Sequence, residues 1–480
     1  MRKQTKLTVP WISLIVLMLC SLIPASLQAQ EINPEEAITW GVEHNIDLVS
    51  IRNDISGLER TLEILDAAES FQVDLSATPI WRFGEDSTIK VTSQSSQASP
   101  STEVSLSATK LIMADFNLST ELSWETNNLN QFDFDEINDE INASIDLNKT
   151  LYPDTLTENE KQIYTTENNL AMKIAELRWK EMEKQIEFIE DYLNIIRIEE
   201  QLVIARERVT LAQAELDRVN EQIKLGEGGY QQQTEAQIAL EEALNQALNQ
   251  EHQFIQAKAR WVLTLGLPQD TEIILEDNPN LVKTLNAQMK ALVLEQEKEN
   301  QQINDALNLN YQIQNSERQK ETLVKELEWT EAEGKPKVNL AGGYEYPNDN
   351  WYVMVGFSVN LTDGGAQELK EEQKQVDIEQ QQVNLDYLAE QLKLEAEQLY
   401  DQDTYNQLNL QTQELALAKE QDKYNIMEMQ FQQGAISRTQ LDQEKLVVRE
   451  KEIAVRQAED QWLINRLELA HFLGFLEQEM

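Results

Sequence analysis

Cysteine is almost absent from this chain: Cys20 is the only one among 480 residues, so disulfides cannot hold the fold together. The three histidines, His44, His252 and His471, are scattered without the spacing of a metal site. No glycine-rich phosphate loop follows a strand-like segment, and Gly226-Glu227-Gly228-Gly229 sits within helical sequence. Neighbouring carboxylates carry no catalytic information among 85 acidic residues. Neither an enzyme nor a metal or other cofactor is expected. Long apolar runs are missing beyond the N-terminus, where nothing approaches the ~20 residues of a membrane-spanning helix. Entry into a membrane would have to be by strands. Basic residues are scarce too: setting aside the first 29 residues leaves 37 basic against 85 acidic ones, which excludes nucleic acid as a partner. The acidity fits a solvated helical surface or a salty medium as well as a specific electrostatic role.

The N-terminus has the order of a secretory signal. Arg2, Lys3 and Lys6 precede an apolar run from Trp11 to Ile23, and Ala25-Ser26-Leu27-Gln28-Ala29 predicts cleavage after Ala29. A lipid on Cys20 is not expected, because the bulky Leu19 stands where a lipobox needs a small residue.

Proline is absent from 154–267 and from 366–480, and the few glycines there repeat: Gly226 and Gly266 in the first stretch, Gly434 and Gly474 in the second. Each pair is 40 residues apart, and the second pair follows the first by 208. Without helix breakers over such lengths, each stretch predicts a long helix, a tight turn and a returning helix. Residues 154–225 as one helix would span roughly 100 Å. Leu202, Ala205, Val209, Ala212, Leu216, Val219 and Ile223 alternate steps of three and four, a heptad seam leading to the turn. Leu240, Ala247, Phe254 and Trp261 are seven apart, as are Val448, Val455, Trp462 and Leu469 at the repeat offset. With Leu446, Ile453 and Leu467 beside that line, the last helix has the broad apolar face of a barrel or bundle helix.

Short segments alternate instead with period two, the pattern of strands with one apolar face. They are Val73-Leu75-Ala77, Val104-Leu106-Ala108, Phe116 to Trp124, Ile141 to Leu147, Val338 to Tyr344 and Trp351 to Leu361. Leu58, Leu62, Glu63, Ala67, Val73 and Leu75 match Leu323, Leu327, Glu328, Ala332, Val338 and Leu340 at an offset of 265, so the first strand region is longer than the second by 57 residues. Two repeats follow from this, each reading helix, strands, long helical hairpin. The first is 30–278, with a helix over 34–70, strands in 71–151 and a hairpin over 154–267. The second is 279–480, with a helix over 279–334, strands in 337–361 and a hairpin over 366–474.

This sequence resembles the TolC-like outer-membrane channel proteins of efflux pumps and type I secretion systems. The resemblance rests on Asn33-Pro34-Glu35-Glu36-Ala37-Ile38 at the first helix and Leu361-Thr362-Asp363-Gly364-Gly365 at a strand-to-helix joint. It rests also on Phe431-Gln432-Gln433-Gly434-Ala435-Ile436-Ser437 at a helical turn and Phe472-Leu473-Gly474 near the end. It implies a mainly α chain with a membrane β-barrel portion, assembled as a homotrimer whose α-barrel continues into one shared barrel in outer-membrane lipid. It implies passive conduction from a periplasmic adaptor and an inner-membrane transporter to the exterior. A few strands per chain cannot close a barrel or hide their edges from lipid, which agrees with assembly. The alternative is a periplasmic adaptor or structural coiled-coil protein that bridges the envelope without conducting.

In the resembled family the two turns form the periplasmic entrance, where adaptor tips dock. The matching candidates are Ile223 and Phe431, each three residues before Gly226 and Gly434. Aspartates often follow the second glycine by six and nine residues; here those positions are Gln440 and Gln443, with Asp442 and Glu444 the nearest acids. Closure would then depend more on neutral contacts than on an anionic ring. Family members usually contribute four strands, and the runs 103–110 and 115–125 predict an additional hairpin or a folded extracellular loop.

Overall fold

The computed structural model describes residues 31–82, 99–112, 116–126, 141–276, 280–291 and 299–474; the expected leader, 1–29, lies outside them. Nine helices are seen among these residues. They are α1 (Pro34–His44), α2 (Ile46–Ala68), α3 (Glu158–Lys224), α4 (Tyr230–Thr264), α5 (Asn280–Ala291), α6 (Glu299–Leu309), α7 (Tyr311–Glu333), α8 (Ala366–Gln432) and α9 (Arg438–Phe472). The strands are β1 (Glu31–Ile32), β2 (Gln72–Arg82), β3 (Ser99–Ile112), β4 (Phe116–Thr126), β5 (Ile141–Tyr152), β6 (Glu272–Ile273), β7 (Lys337–Tyr346) and β8 (Asn350–Ser358).

The two long helices, α3 and α8, have 67 residues each, and their return helices, α4 and α9, have 35 each. All four stop at a glycine with positive φ, at Gly226, Gly266, Gly434 and Gly474. The heptad seam of α3 packs as its spacing requires: Leu216 and Val219 are buried with Ala236 and Leu240 of α4, and Val209, Ala212 and Ile223 lie against them.

The segments 34–70 and 279–334 differ from the single helices expected. The first breaks at Asn45 into α1 and α2, and the second contains α5, α6 and α7, with the last break at Asn310. The cause is the same residue type at the repeat offset of 265. The Asn45 side chain accepts from the backbone N–H of Asp47 at 3.0 Å and of Leu48 at 3.4 Å, and Asn310 accepts from that of Gln312 at 2.8 Å. Asparagine offers the backbone this alternative to the helical ladder, so it starts a helix more readily than it continues one.

Packing divides the chain into two compact units that do not follow the two sequence repeats. One draws on Met1–Val49, Lys180–Glu297 and Glu397–Met480, the other on Ser50–Trp179 and Lys298–Ala396. The core of the first gathers Phe188, Tyr192 and Ile196 of α3, Trp261 and Val262 of α4, Leu463 and Leu467 of α9, and Ala37 and Ile38 of α1. Trp261 is wholly buried and its indole N–H donates to the Phe188 carbonyl at 3.0 Å, which satisfies the one polar atom that burial would otherwise penalise. Gly41 is needed where α1 crosses this core, because a Cβ there would lie within 3 Å of both Leu265 and Phe188.

The second unit holds a six-stranded sheet in the order β2-β3-β4-β5-β7-β8, antiparallel throughout. The runs 103–110 and 115–125 thus fall on the paired strands β3 and β4 within the sheet, with residue 115 outside the described residues. Lys161 of α3 pairs with Glu333 of α7 at 3.1 Å, and Lys374 of α8 pairs with Glu326 of α7 at 2.5 Å. Tyr164 meets Trp329 edge to face with ring centres 5.7 Å apart, so α3, α7 and α8 pack side by side next to the strands.

Candidate functional site

The turn joining α8 to α9 is built by its sequence in two steps. The Gly434 N–H donates to the Phe431 carbonyl at 2.9 Å and the Ala435 N–H to the Gln430 carbonyl at 2.8 Å, a paired closure that requires the left-handed residue between them. Gly434 supplies it with φ +75°. Ser437 then opens α9: its hydroxyl accepts from the Gln440 N–H at 3.3 Å while the Gln440 side-chain oxygen accepts from the Ser437 N–H at 2.9 Å, the reciprocal cap of a helix start. The first turn follows the same plan. Gly226 has φ +79°, and the Gln232 oxygen, at the repeat position of Gln440, accepts from the Gly229 N–H at 3.3 Å.

The candidate residues of the turns therefore fall into different surroundings. Gln440 is committed to the cap of α9. Asp442 is held by Arg438 one helical turn earlier at 2.9 Å, and the Arg438 guanidinium lies over the Phe431 ring, 5.8 Å from its centre. Glu444 is buried between α8 and α9, where Lys423 pairs with it at 2.7 Å. Its repeat counterpart is Ala236, in the apolar seam of the first hairpin. Gln443 is exposed. Ile223 is half-buried in its own turn, and a Cβ on Gly228 would come within 2.8 Å of its side chain. Beside the first turn the large apolar groups that face solvent include Leu225 and Tyr230, 74 % and 83 % exposed. Their signal in the sequence is position alone, beside glycines at a turn whose other residues are polar.

The sheet supplies the second candidate surface. Directly paired residues share a face, so the register sorts every strand. One face holds Val73 and Leu75 of β2, Val104, Leu106 and Ala108 of β3, and Leu118, Leu122 and Trp124 of β4. It continues with Ala143, Ile145 and Leu147 of β5, Leu340 and Tyr344 of β7, and Trp351, Val353, Val355 and Phe357 of β8. Much of this apolar face is open: Leu75, Trp351, Val353, Val355 and Phe357 are all exposed. The opposite face is polar and acidic. By register it carries Asp74, Glu103, Glu121, Glu125, Asp146 and Glu345 against Arg82 and Lys337, and the Tyr352 hydroxyl donates to Asp146. Lys110 and Lys149 lie on the apolar face, both in the half of the strands nearer the helices.

Buried charge is concentrated in the first unit. Arg197, 7 % exposed, donates to Asp460 at 2.6 Å and to Glu200 at 3.0 Å, and Arg456 also reaches Glu200 at 3.0 Å. Asp403 accepts from Arg466 and from the Trp462 indole N–H, both at 2.9 Å. These pairs join α3 to α9 and α8 to α9. Burial, helped by nearby Lys180, depresses the His471 pKa to about 4. Burial raises the carboxyls of Glu190, Asp191 and Glu468. His44 stacks on Trp40 with ring centres 3.8 Å apart, and His252 is exposed. Among the described residues no group of three or more His, Cys, Asp or Glu could hold a metal ion.

The sequence matches no protein-family model and no curated protein. Among solved structures the chain is similar to CusC, described in connection with transmembrane channel formation, at 14 % identity, TM-score 0.62, covering 92 % of this chain and 91 % of that one. It is similar to the outer membrane protein VceC of Vibrio cholerae at 12 % identity, TM-score 0.61, with 92 % and 96 % covered. It is similar to the CmeC outer membrane channel of Campylobacter jejuni at 10 % identity, TM-score 0.64, with 92 % and 85 % covered. The chain has the TolC-like fold.

Proposed function

We propose that this chain is one subunit of a trimeric outer-membrane channel, the exit duct of a tripartite efflux or type I secretion system, and acts by passive conduction rather than catalysis. The observation that carries the reading is the sheet. An apolar face running across six strands, exposed in a single chain and backed by a polar face, fits lipid on one side and water on the other. In water alone so large an apolar patch would be an aggregation hazard. A bridging adaptor without a pore has no use for such a wall.

Details of the sheet support the same orientation. The strand ends that run into α2, α3, α7 and α8 all lie on one side, and there Phe116, Tyr152 and Phe357 lie along the apolar face. Trp124, Tyr344, Tyr346 and Trp351 lie toward the other end. Two aromatic rows with aliphatic residues between them are the pattern of a membrane barrel, with amphipathic rings at each interface. Lys110 and Lys149 sit where their stems can reach the interface on the helix side. On α8, Leu369, Val376 and Val383 are exposed and seven residues apart, as are Leu408 and Leu415. Heptads left open in one chain fit helices of neighbouring copies.

The turns at Gly226 and Gly434 are the proposed periplasmic entrance. Leu225, Tyr230 and Phe431 are the apolar groups offered there to an adaptor, with Ile223 as support beneath them. Gln440 contributes by capping α9, and Asp442, Gln443 and Glu444 set the polarity around it.

The test is fractionation and conductance. Outer-membrane trimers that survive mild detergent, with ion conductance in a planar bilayer, are the expected result. A soluble or inner-membrane protein that forms no pore would favour the adaptor. Loss of efflux in Leu225→Asp or Tyr230→Asp, with normal trimers and insertion, would support docking at the tips.

A further inference from the structure

We infer that the β3–β4 hairpin is an insertion into the barrel wall, so that three copies close an eighteen-stranded barrel instead of a twelve-stranded one. The inference rests on the channel reading above and adds the size of its exit.

The internal repeat identifies the insertion. Shifting β2 by 265 residues lands on β7, and shifting β5 by 208 lands on β8. In the second half these two strands pair directly, with Leu340 opposite Val355 and Gly342 opposite Val353. In the first half their counterparts do not touch: β2 pairs with β3, and β5 with β4. The 57 additional residues of the first strand region are therefore the hairpin with its connections.

The hairpin is seated in the wall and not on it. Leu106 of β3 faces Leu75 of β2 on one side and Leu122 of β4 on the other, and Leu122 faces Ala143 of β5. Apolar residues of the hairpin thus continue the lipid face without a step, and Ser105, Ser107, Ser119 and Ser123 continue the polar one. A strand pair laid over the outside of a finished barrel would show no such match of both faces.

Closure then sets the strand number. β2 and β8 are the open edges and run in opposite directions, so β8 of one copy can extend the antiparallel order onto β2 of the next. Unpaired strand edges are not tolerated in lipid, and six strands are fewer than the eight of the smallest membrane barrels. The occupant of each edge is accordingly a second copy of this chain. With strands ~4.8 Å apart and tilted ~40°, eighteen strands give a backbone diameter of about 36 Å and twelve give about 24 Å. The inserted hairpin widens the exit about 1.5-fold.

Two measurements test this in outer membranes of cells expressing the full chain in a Cys20→Ser background. In the first, paired cysteines are oxidised. Leu75→Cys with Leu106→Cys, and Leu122→Cys with Ala143→Cys, are expected to crosslink within a chain. Leu75→Cys with Leu147→Cys, which would meet if β2 paired with β5, is expected not to. In the second, electron microscopy of the trimer is expected to count eighteen strands. A variant lacking 83–139, which restores the spacing of the second half, is expected to count twelve, with the diameter reduced about 1.5-fold. Trimers of the full chain with twelve strands and a Leu75–Leu147 crosslink would overturn the inference and leave the channel reading intact. A chain found outside the outer membrane would overturn that reading and, with it, this one.

Discussion

Gly226 and Gly434 have open space where a Cβ would go but hold φ values of +79° and +75°. A substitution there is penalised by the backbone alone. Either glycine replaced by alanine is expected to lower stability by about 1–2 kcal/mol, read from the midpoint of denaturant unfolding, with asparagine less costly. Equal losses at an exposed helical glycine such as Gly57 would contradict the assignment. His471 gives a pH dependence. Its folded pKa is near 4 and its unfolded value near ~6.5, so the unfolded chain binds a proton first. The stability that neutral burial of His471 permits is complete above about pH 6.5 and is lost as pH falls toward 4, by about 3 kcal/mol. The raised carboxyls of Glu190, Asp191 and Glu468 act with opposite sign, because the folded state takes up their protons first. His471→Phe is therefore expected to lose less stability than the parent chain between pH 7 and pH 5. At this scale the sequence was legible where a residue acts on its own backbone, as the glycines do. It was silent where meaning comes from a distant partner: nothing near Glu444 in the chain announces Lys423, whereas Ser437 and Gln440, three residues apart, carry the spacing of a reciprocal cap.

Among the elements, lengths were legible and breaks were not. Absence of proline over 154–267 and 366–480 leaves a helix nowhere to stop except at glycine, so the equal hairpins follow from composition. Asn45 and Asn310 escaped notice because asparagine is only mildly unfavourable inside a helix, and its side-chain bonds to the next turn decide between interrupting and continuing. Asn45→Ala is expected to cost more than Asn310→Ala: both lose a cap of about 1 kcal/mol, but Asn45 also donates to the Thr264 carbonyl at 2.8 Å and ties α1 to the end of α4. Similar values for the two would show that this tie contributes nothing. The buried pair across α3 and α9 makes a sharper forecast. Arg197→Met leaves Asp460 and Glu200 without their shared partner, and about 3–5 kcal/mol should be lost. Arg197→Met combined with Asp460→Leu should recover much of it, because apolar packing of similar volume avoids the desolvation of both charges while Glu200 keeps its pair with Arg456.

For the whole molecule the open question is where the excess acid faces. The sheet answers for its own part: Asp74, Glu103, Glu121, Glu125, Asp146 and Glu345 lie on the face opposite the apolar one, with Arg82 and Lys337 as counter-charges by register. Carboxylates around a water-filled wall attract cations over a distance set by screening, ~30 Å at 0.01 M salt, ~10 Å at 0.1 M and ~3 Å at 1 M. The eighteen-stranded barrel inferred above, about 18 Å in radius, would be filled by that potential only at the lowest of these concentrations. Cation preference should be strong at 0.01 M, weak by 0.1 M and gone at 1 M, as measured by reversal potentials across a salt gradient in a planar bilayer. Glu103→Gln, Glu121→Gln and Glu345→Gln together should weaken the preference at 0.01 M and leave conductance at 1 M unchanged. These three lie on strands of the sheet, and two of them belong to the β3–β4 hairpin. A preference untouched by the triple variant would place the selective charge in the helical part of the duct, and a preference for anions would mean that the acids of the sheet do not line the pore.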